Sequence, residues 1–205
     1  MLLVLSRSPK KDLLSKTLHL SFLQATLRMM FWNFTQRILA LFLLILLSPL
    51  LIFCIVIVFL QDRKNPFYIP QRVGKGGRLL PLFKLRTMVP LSDEKSTWIS
   101  TSLDLRITKI GRIIRLLKLD EFFQLINVVK GDMLLIGPRP RAVLEYQTFV
   151  PREKDIVGVL PGISDFASLV MSREAELLSH YSSNPYDAYL RICRPIKSRL
   201  ALFLY

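Results

Sequence analysis

The sequence predicts an α+β protein. An N-terminal re-entrant membrane helix hairpin is followed by a small, mainly helical cytoplasmic domain with a short β-hairpin and amphipathic interfacial helices. Three observations support it, the first two fitting a kinked single span equally. An uncharged run, Ile38 to Leu60, carries Ser48-Pro49 near its middle. Basic residues flank the run on both sides. Beyond it, apolar residues recur at helical spacing between turn-forming glycines and prolines. The predicted divisions are an extension over residues 1–30, a membrane helix broken at Ser48-Pro49 over 31–62, and a cytoplasmic domain over 63–205.

Composition agrees. A chain of 205 residues has room for one domain of ~100–150 residues plus a membrane segment. With 51% hydrophobic residues and a mean hydropathy of +0.37, it is more apolar than an ordinary soluble domain, so part of it belongs in lipid. Lys and Arg number 29 against 15 Asp and Glu, and a net charge of +14 calls for an anionic partner. Cys54 and Cys193 give neither a disulfide framework nor metal-ligand spacing. His19 and His180 are isolated, which argues against a histidine metal site or a Ser-His triad.

As a straight helix, Ile38–Leu60 would be ~35 Å long and could cross a ~30 Å hydrocarbon core. It is too long and too far in for a signal peptide, and Gln61-Asp62-Arg63-Lys64 offers no cleavage site. Pro49 has no N–H to donate and crowds the Ile45 carbonyl, so a kink or break is expected there. The Ser48 hydroxyl could bond a freed carbonyl, which lipid cannot do. Arg28 and Arg37 precede the run and Arg63, Lys64 and Arg72 follow it, so the positive-inside rule gives no orientation. A hairpin with both ends in the cytoplasm satisfies both flanks. A kinked single span remains open on these residues alone. Residues 1–29 read as a loosely structured extension, in which Leu13–Leu27 could form a short interfacial helix. Phe31-Trp32 and Phe34 suit a membrane–water interface.

In the domain, Gly74-Lys75-Gly76-Gly77 is a turn signal but lacks Walker spacing. The alternation from Leu82 to Met88 predicts a short hairpin presenting Lys84 and Arg86. Arg106–Lys118 reads as a basic amphipathic helix whose apolar arc is Ile107, Ile110, Ile113, Ile114 and Leu117. It suits anionic headgroups or a substrate phosphate, and equally a packed core face. A second helix follows, with Asp120 at the N-cap position, Glu121 in its first turn and Gly131 at the C-cap. Asp120 and Glu121 thus fit either capping or chemistry. A helix start among cations holds an aspartate ionised and attracts phosphate, and an ionised aspartate beside phosphorus can act as a nucleophile. Met133–Arg141 predicts a strand entering Gly137-Pro138-Arg139-Pro140, where the prolines stiffen a loop that presents Arg139.

In order along the chain come Ser48-Pro49, Gln71-Arg72-Val73-Gly74, Phe83-Lys84-Leu85-Arg86-Thr87-Met88 and Arg106-Ile107-Thr108-Lys109-Ile110-Gly111-Arg112. Leu119-Asp120-Glu121, Gln124-Leu125-Ile126-Asn127 and Gly137-Pro138-Arg139-Pro140 follow. The set resembles the bacterial sugar transferases, the small monotopic phosphoglycosyl transferases. The resemblance runs from about Trp32 to Pro161-Gly162. It implies a UDP-sugar donor, an undecaprenyl (polyprenyl) phosphate acceptor, and polyprenyl diphosphate-sugar and UMP as products. It implies Mg²⁺ as cofactor, with Asp120 and Glu121 as its ligands. Asp120 would be the nucleophile of a covalent phosphosugar intermediate, and Glu121 would bind metal or handle protons. Arg86, Arg112, Arg139 and Lys84 would hold phosphates. The break at Ser48-Pro49 would make the anchor re-entrant, on the cytoplasmic face of a bacterial inner membrane. The implied role is the first step of glycoconjugate assembly: exopolysaccharide, O-antigen, capsule or glycoprotein. Membrane lipid is an expected neighbour, a homodimer is compatible, and nucleic acid is not a partner.

This chain departs from the family pattern in places. Phe122-Phe123 replaces the usual Leu-Pro, and Lys118 stands where a small hydroxyl residue is common. Ile163-Ser164-Asp165-Phe166-Ala167-Ser168 replaces the frequent Thr-Gly-Trp-Ala-Gln stretch, which bears on the donor sugar. The alternative to an enzyme is a membrane-anchored basic module binding anionic lipid or nucleic acid. That reading explains the charge and the anchor but not the Asp-Glu pair or the motif order.

Overall fold

The computed structural model describes residues 9–89, 104–181 and 185–204, with side chains from residue 20 onward. The first eight residues of the expected extension lie outside them. The rest of that extension is not loose: α1 (Pro9–Asp62) is a single helix of 54 residues that includes it. At ~1.5 Å per residue α1 is ~80 Å long. The sequence predicted a break at Ser48-Pro49, but helical structure continues through Pro49. Local chemistry explains the tolerance. Pro49 cannot donate to the Ile45 carbonyl, and the Ser48 hydroxyl donates to that same oxygen at 2.7 Å.

One stripe of α1 belongs to the protein core. Ala40, Leu51, Cys54 and Val58 are buried, with Leu44 and Leu47 packed between them. These positions advance by alternating steps of four and three, which keeps them on one helix face. The other face exposes Phe42, Ile45, Leu46, Ile52, Phe53 and Phe59. An unpartnered apolar surface of that length fits lipid rather than water.

After α1 come β1 (Phe67–Tyr68), β2 (Gln71–Val73), β3 (Leu79–Pro81) and β4 (Lys84–Leu85). The expected hairpin exists, but it is β2–β3, closed by the Gly74–Arg78 turn. Gly76 and Gly77 there have φ of 69° and 76°, which glycine adopts without strain. Lys84 and Arg86 are not on this hairpin. Lys84 lies on β4, which pairs antiparallel with β1, and Arg86 follows it.

The basic helix is α2 (Lys109–Leu116), shorter than predicted and capped by the Thr108 hydroxyl, which accepts from the Gly111 N–H at 2.8 Å. Of its predicted apolar arc, Ile114 is buried and Ile110 packs with it, while Ile113 and Leu117 are exposed. Next are α3 (Leu125–Lys130) and β5 (Leu134–Ile136). Gly131 ends α3 with φ 88°, as predicted. The Arg37 guanidinium lies against Gly131, where a β-carbon would meet it at 2.0 Å.

β6 (Arg141–Ala142) adds to β2, giving the sheet order β3-β2-β6. It leads into α4 (Val143–Gln147). β7 (Gly162–Ser164) pairs parallel with β5. The C-terminal part contains α5 (Phe166–Val170), α6 (Glu174–Ser179), α7 (Pro185–Ala188) and α8 (Arg194–Leu204). Tyr189–Cys193 is a π turn that continues into α8.

Candidate active site

Two loops and a strand bring four charged groups together. The first follows α2. Lys118 has φ 57°, a conformation a non-glycine residue adopts at a cost, and it reverses the chain into Leu119-Asp120-Glu121. The Asp120 carbonyl accepts the Leu85 N–H at 3.1 Å, which ties the dyad to β4. β4 is fixed in turn by Asn127 of α3. The fully buried Asn127 side chain donates to the Pro81 carbonyl at 2.8 Å and accepts the Phe83 N–H at 3.1 Å. That clamp sets Lys84, whose Nζ lies 3.1 Å from Glu121 Oε1. The third element is the Pro138-Arg139-Pro140 loop after β5. Arg139 reaches the same Glu121 oxygen in a close ion pair.

Asp120 differs from its neighbour. Its carboxylate is only 8% exposed, and Oδ1 is buried without a hydrogen-bond partner. Nor does it cap a helix. The turn Phe122–Gln124 starts after Glu121 with no side-chain cap, and α3 starts later still. The capping role that the sequence left open is therefore absent. The two carboxylates also titrate in opposite directions. Burial pushes Asp120 above the usual carboxylate range; Lys84 opposes this only in part, and adjacent Glu121 adds to it. Burial acts on Glu121 too, but Lys84 and Arg139 outweigh it and pull the carboxyl down to about 2. Arg139 is held charged, since Glu121 outweighs the effect of burial. Lys84 is lowered by burial, with Glu121 offsetting part of the loss.

Two predicted phosphate ligands make no bond to the dyad among the described residues. The Arg86 guanidinium grips Asp62, at the end of α1, through bonds of 2.5 and 2.7 Å, and donates to the Asn65 carbonyl at 2.7 Å. It fastens α1 to the domain and has no bond to the dyad among the described residues. Alternation along the strand explains this: Lys84 and Arg86 share a face, but only Lys84 lies over Glu121. Arg112 is exposed on α2 and makes no ion pair with either carboxylate.

The structure adds two residues. Arg115 donates to the buried Thr87 hydroxyl at 2.8 Å, and its charge acts on Asp120. Helical spacing placed it on a charged face without indicating which group that face meets. Asp165, 3% exposed, accepts the Arg139 N–H at 3.2 Å. Its local signal, an acid three residues before Ser168 at a helix start, announces the α5 cap; the contact with Arg139 has no sequence signature.

The Phe122-Phe123 departure also has a physical role. Phe123 is buried among Leu51, Cys54, Val58, Leu85 and Ile114, and its ring meets Phe67 edge-on at 5.4 Å between centroids. Through that cluster the segment after the dyad shares a core with α1.

A buried carboxylate beside a salt-bridged one, with cations from three segments, suits phosphoryl chemistry, which needs charge neutralisation and positioning more than covalent machinery. Comparison with known proteins agrees with this chemistry. The family described as bacterial sugar transferase matches residues 27–191. The chain is 37% identical over 138 residues to the UDP-N-acetylgalactosamine-undecaprenyl-phosphate N-acetylgalactosaminephosphotransferase of Aeromonas hydrophila, covering 64% of this chain and 32% of that protein. It is 36% identical over 130 residues to the uncharacterized sugar transferase EpsL of Bacillus subtilis, covering 63% of each. It is 33% identical over 127 residues to the UDP-glucose:undecaprenyl-phosphate glucose-1-phosphate transferase of Caulobacter vibrioides, covering 60% of this chain and 48% of that one. The aligned part thus spans from about a third to under two thirds of these relatives. The match includes the dyad, the three cation-bearing segments and most of α1, and the chain belongs to the bacterial sugar transferase family.

Proposed function

We propose that this protein transfers a sugar-1-phosphate from a UDP-sugar to undecaprenyl (polyprenyl) phosphate, releasing UMP and forming a polyprenyl diphosphate-sugar. The observation that carries the reading is the unpaired Asp120 Oδ1 beside a Glu121 already held by Lys84 and Arg139. An oxygen with no hydrogen bond has its lone pairs free, and a carboxylate made more basic by burial is a better nucleophile once ionised. Asp120 attacks the sugar-linked phosphorus. The bond from that phosphorus to the bridging oxygen breaks, and UMP leaves with the oxygen. An acceptor phosphate oxygen then attacks the same phosphorus and displaces Asp120. Arg139 and Lys84, fixed by Glu121, stabilise the charge on the transferring group.

The donor set suits Mg²⁺: one carboxylate has an unpaired buried oxygen, another adjoins it, and a substrate diphosphate can complete the sphere. Asp120 and Glu121 would hold the ion, which when bound neutralises diphosphate charge. The relatives named above act on different sugars, and for this chain the proposal stays at the level of a UDP-sugar.

The same reading puts the catalytic domain on the cytoplasmic face of the inner membrane. It keeps both ends of the α1 apolar run on one side of the membrane, as the re-entrant expectation required, although the helix is not broken at Pro49. Both ends of its apolar run bond to one domain. The Leu135 N–H donates to Gln36 at 2.8 Å, and Arg86 holds Asp62. A helix crossing the bilayer would carry these ends to opposite sides. The non-enzymatic basic module is not favoured: it gives no reason to bury an unpaired carboxylate.

The test is full-length protein in nanodiscs with Mg²⁺, undecaprenyl phosphate and a panel of UDP-sugars, with UMP release measured. UMP from at least one donor, dependent on the acceptor for turnover, is expected. No UMP from any donor would sink the proposal.

A further inference from the structure

We propose that Asp165 is a positioning residue for Arg139, and that it sets how tightly the donor diphosphate is held; this rests on the function proposed above. The Arg139 loop cannot fix itself, since its prolines supply no N–H. It is braced instead from the segment after Pro161. The Gly137 N–H donates to the Ser164 carbonyl at 3.1 Å, and the Gly162 N–H to the Pro138 carbonyl at 2.9 Å. The two strands meet at their glycines: a β-carbon on Gly162 would lie 2.1 Å from the Gly137 nitrogen. The remaining N–H of the loop, that of Arg139, donates to Asp165 Oδ2 at 3.2 Å. The other carboxylate oxygen accepts the Ser168 N–H at 2.6 Å and caps α5. The Arg139 guanidinium donates to the Ile163 carbonyl at 3.4 Å before reaching Glu121. One buried carboxylate therefore clamps the Arg139 backbone to α5, and its negative charge faces the Arg139 cation. A family member with glycine here would have no such clamp. Asp165 acts through Arg139 and touches neither reacting carboxylate among the described contacts.

Capping and positioning separate experimentally. Asp165→Ser keeps an α5 cap, because serine caps as well as aspartate, but it loses the second acceptor. Donor KM should rise about tenfold with kcat within about threefold, which corresponds to about 1.4 kcal/mol of ground-state binding. In the Arg139→Ala background the same substitution should cost nothing further, since its only route to the donor is gone. Losses that multiply across the two variants, or an unchanged donor KM, would overturn the proposal. If Asp165→Ser fails to fold, Asp165→Asn, which keeps the cap and the shape, replaces it in the same cycle. Should the wild-type protein release no UMP from any donor, the function proposed above fails separately. The positioning claim is then decided by hydrogen exchange. Faster exchange at residues 137–141 with residues 166–170 unchanged supports it, and unchanged exchange at 137–141 overturns it.

Discussion

Replacing Asp120 by asparagine should make the protein more stable and inactive at the same time. The side chains have nearly the same shape, so the substitution mainly removes a charge. In the wild type that charge sits at 8% exposure with one oxygen unpaired. The amide still leaves a polar atom unpaired there, so the gain is the desolvation of the charge alone, about 2–3 kcal/mol at a site this buried. Part of the gain is returned, because Lys84 and Arg115 lose a nearby anion. A net gain of about 1–2 kcal/mol remains, or about 2–8 °C in Tm for a chain of this size. The pH dependence has a definite sign. The folded-state pKa of Asp120 lies above its unfolded value, so wild-type stability from this group is complete below the unfolded pKa and is lost as pH rises through the folded one. The advantage of Asp120→Asn should therefore be small near pH 4 and grow toward pH 7. Thermal unfolding in nanodiscs across that range, paired with UMP release, is the assay. A lower Tm at pH 7 would mean that the Asp120 charge is a structural ion and that the strain argument is wrong. A raised Tm with UMP release intact would remove Asp120 as nucleophile.

Glu121→Gln should have the opposite effect on stability. It strips the anion from two buried cations and should cost about 2–3 kcal/mol at pH 7, below the range for a fully buried pair. With Glu121 held at about 2, that penalty is present above about pH 4.5, its unfolded value, and fades as pH falls toward 2, which urea titrations at several pH values would reveal. Arg86→Lys should lower Tm by breaking the forked pair with Asp62 while leaving donor KM within about twofold; a large rise in donor KM would return Arg86 to the phosphate site. Single cysteines at Phe34 and Lys64, in a background lacking Cys54 and Cys193, should label from the same side of sealed vesicles, and labelling from opposite sides would refute the re-entrant topology.

The sequence made the local pieces legible and left their meeting points obscure. Gly131 ends its helix where spacing placed it, because a C-cap is a local requirement for φ > 0. The strand into Gly137-Pro138-Arg139-Pro140 and the turn at Gly74–Arg78 are also local, and both are present. Lys84 and Arg86 were indistinguishable by alternation. What separates them is a tertiary fact: Glu121 lies under one and Asp62 under the other. Asp120 was ambiguous between cap and nucleophile for the same reason. Local pattern placed it at a helix start, but the Lys118 reversal and the turn at Phe122–Gln124 move the helix away from it. Proline at position 49 predicted a break, yet the partner that compensates for it is the preceding residue, whose hydroxyl takes the orphan carbonyl.

Hydropathy reads Ile38–Leu60 as a membrane segment and nothing else, because an apolar residue facing lipid and one facing a protein core look the same in a sequence. The structure separates them. Ala40, Leu51, Cys54 and Val58 are core positions, and the last three share one buried cluster with Phe123, two residues past the dyad. Removing α1 would expose that stripe and also withdraw the surface against which the Asp120-Glu121 turn is set. Each large apolar side chain in it is worth about 1.5–3 kcal/mol of burial, and a domain has only about 5–15 kcal/mol in all. The apolar helix is therefore a structural part of the domain rather than a tether to it. On the proposed function, the height of α1 in the bilayer and the position of Asp120 are coupled, through the buried cluster that α1 shares with Phe123.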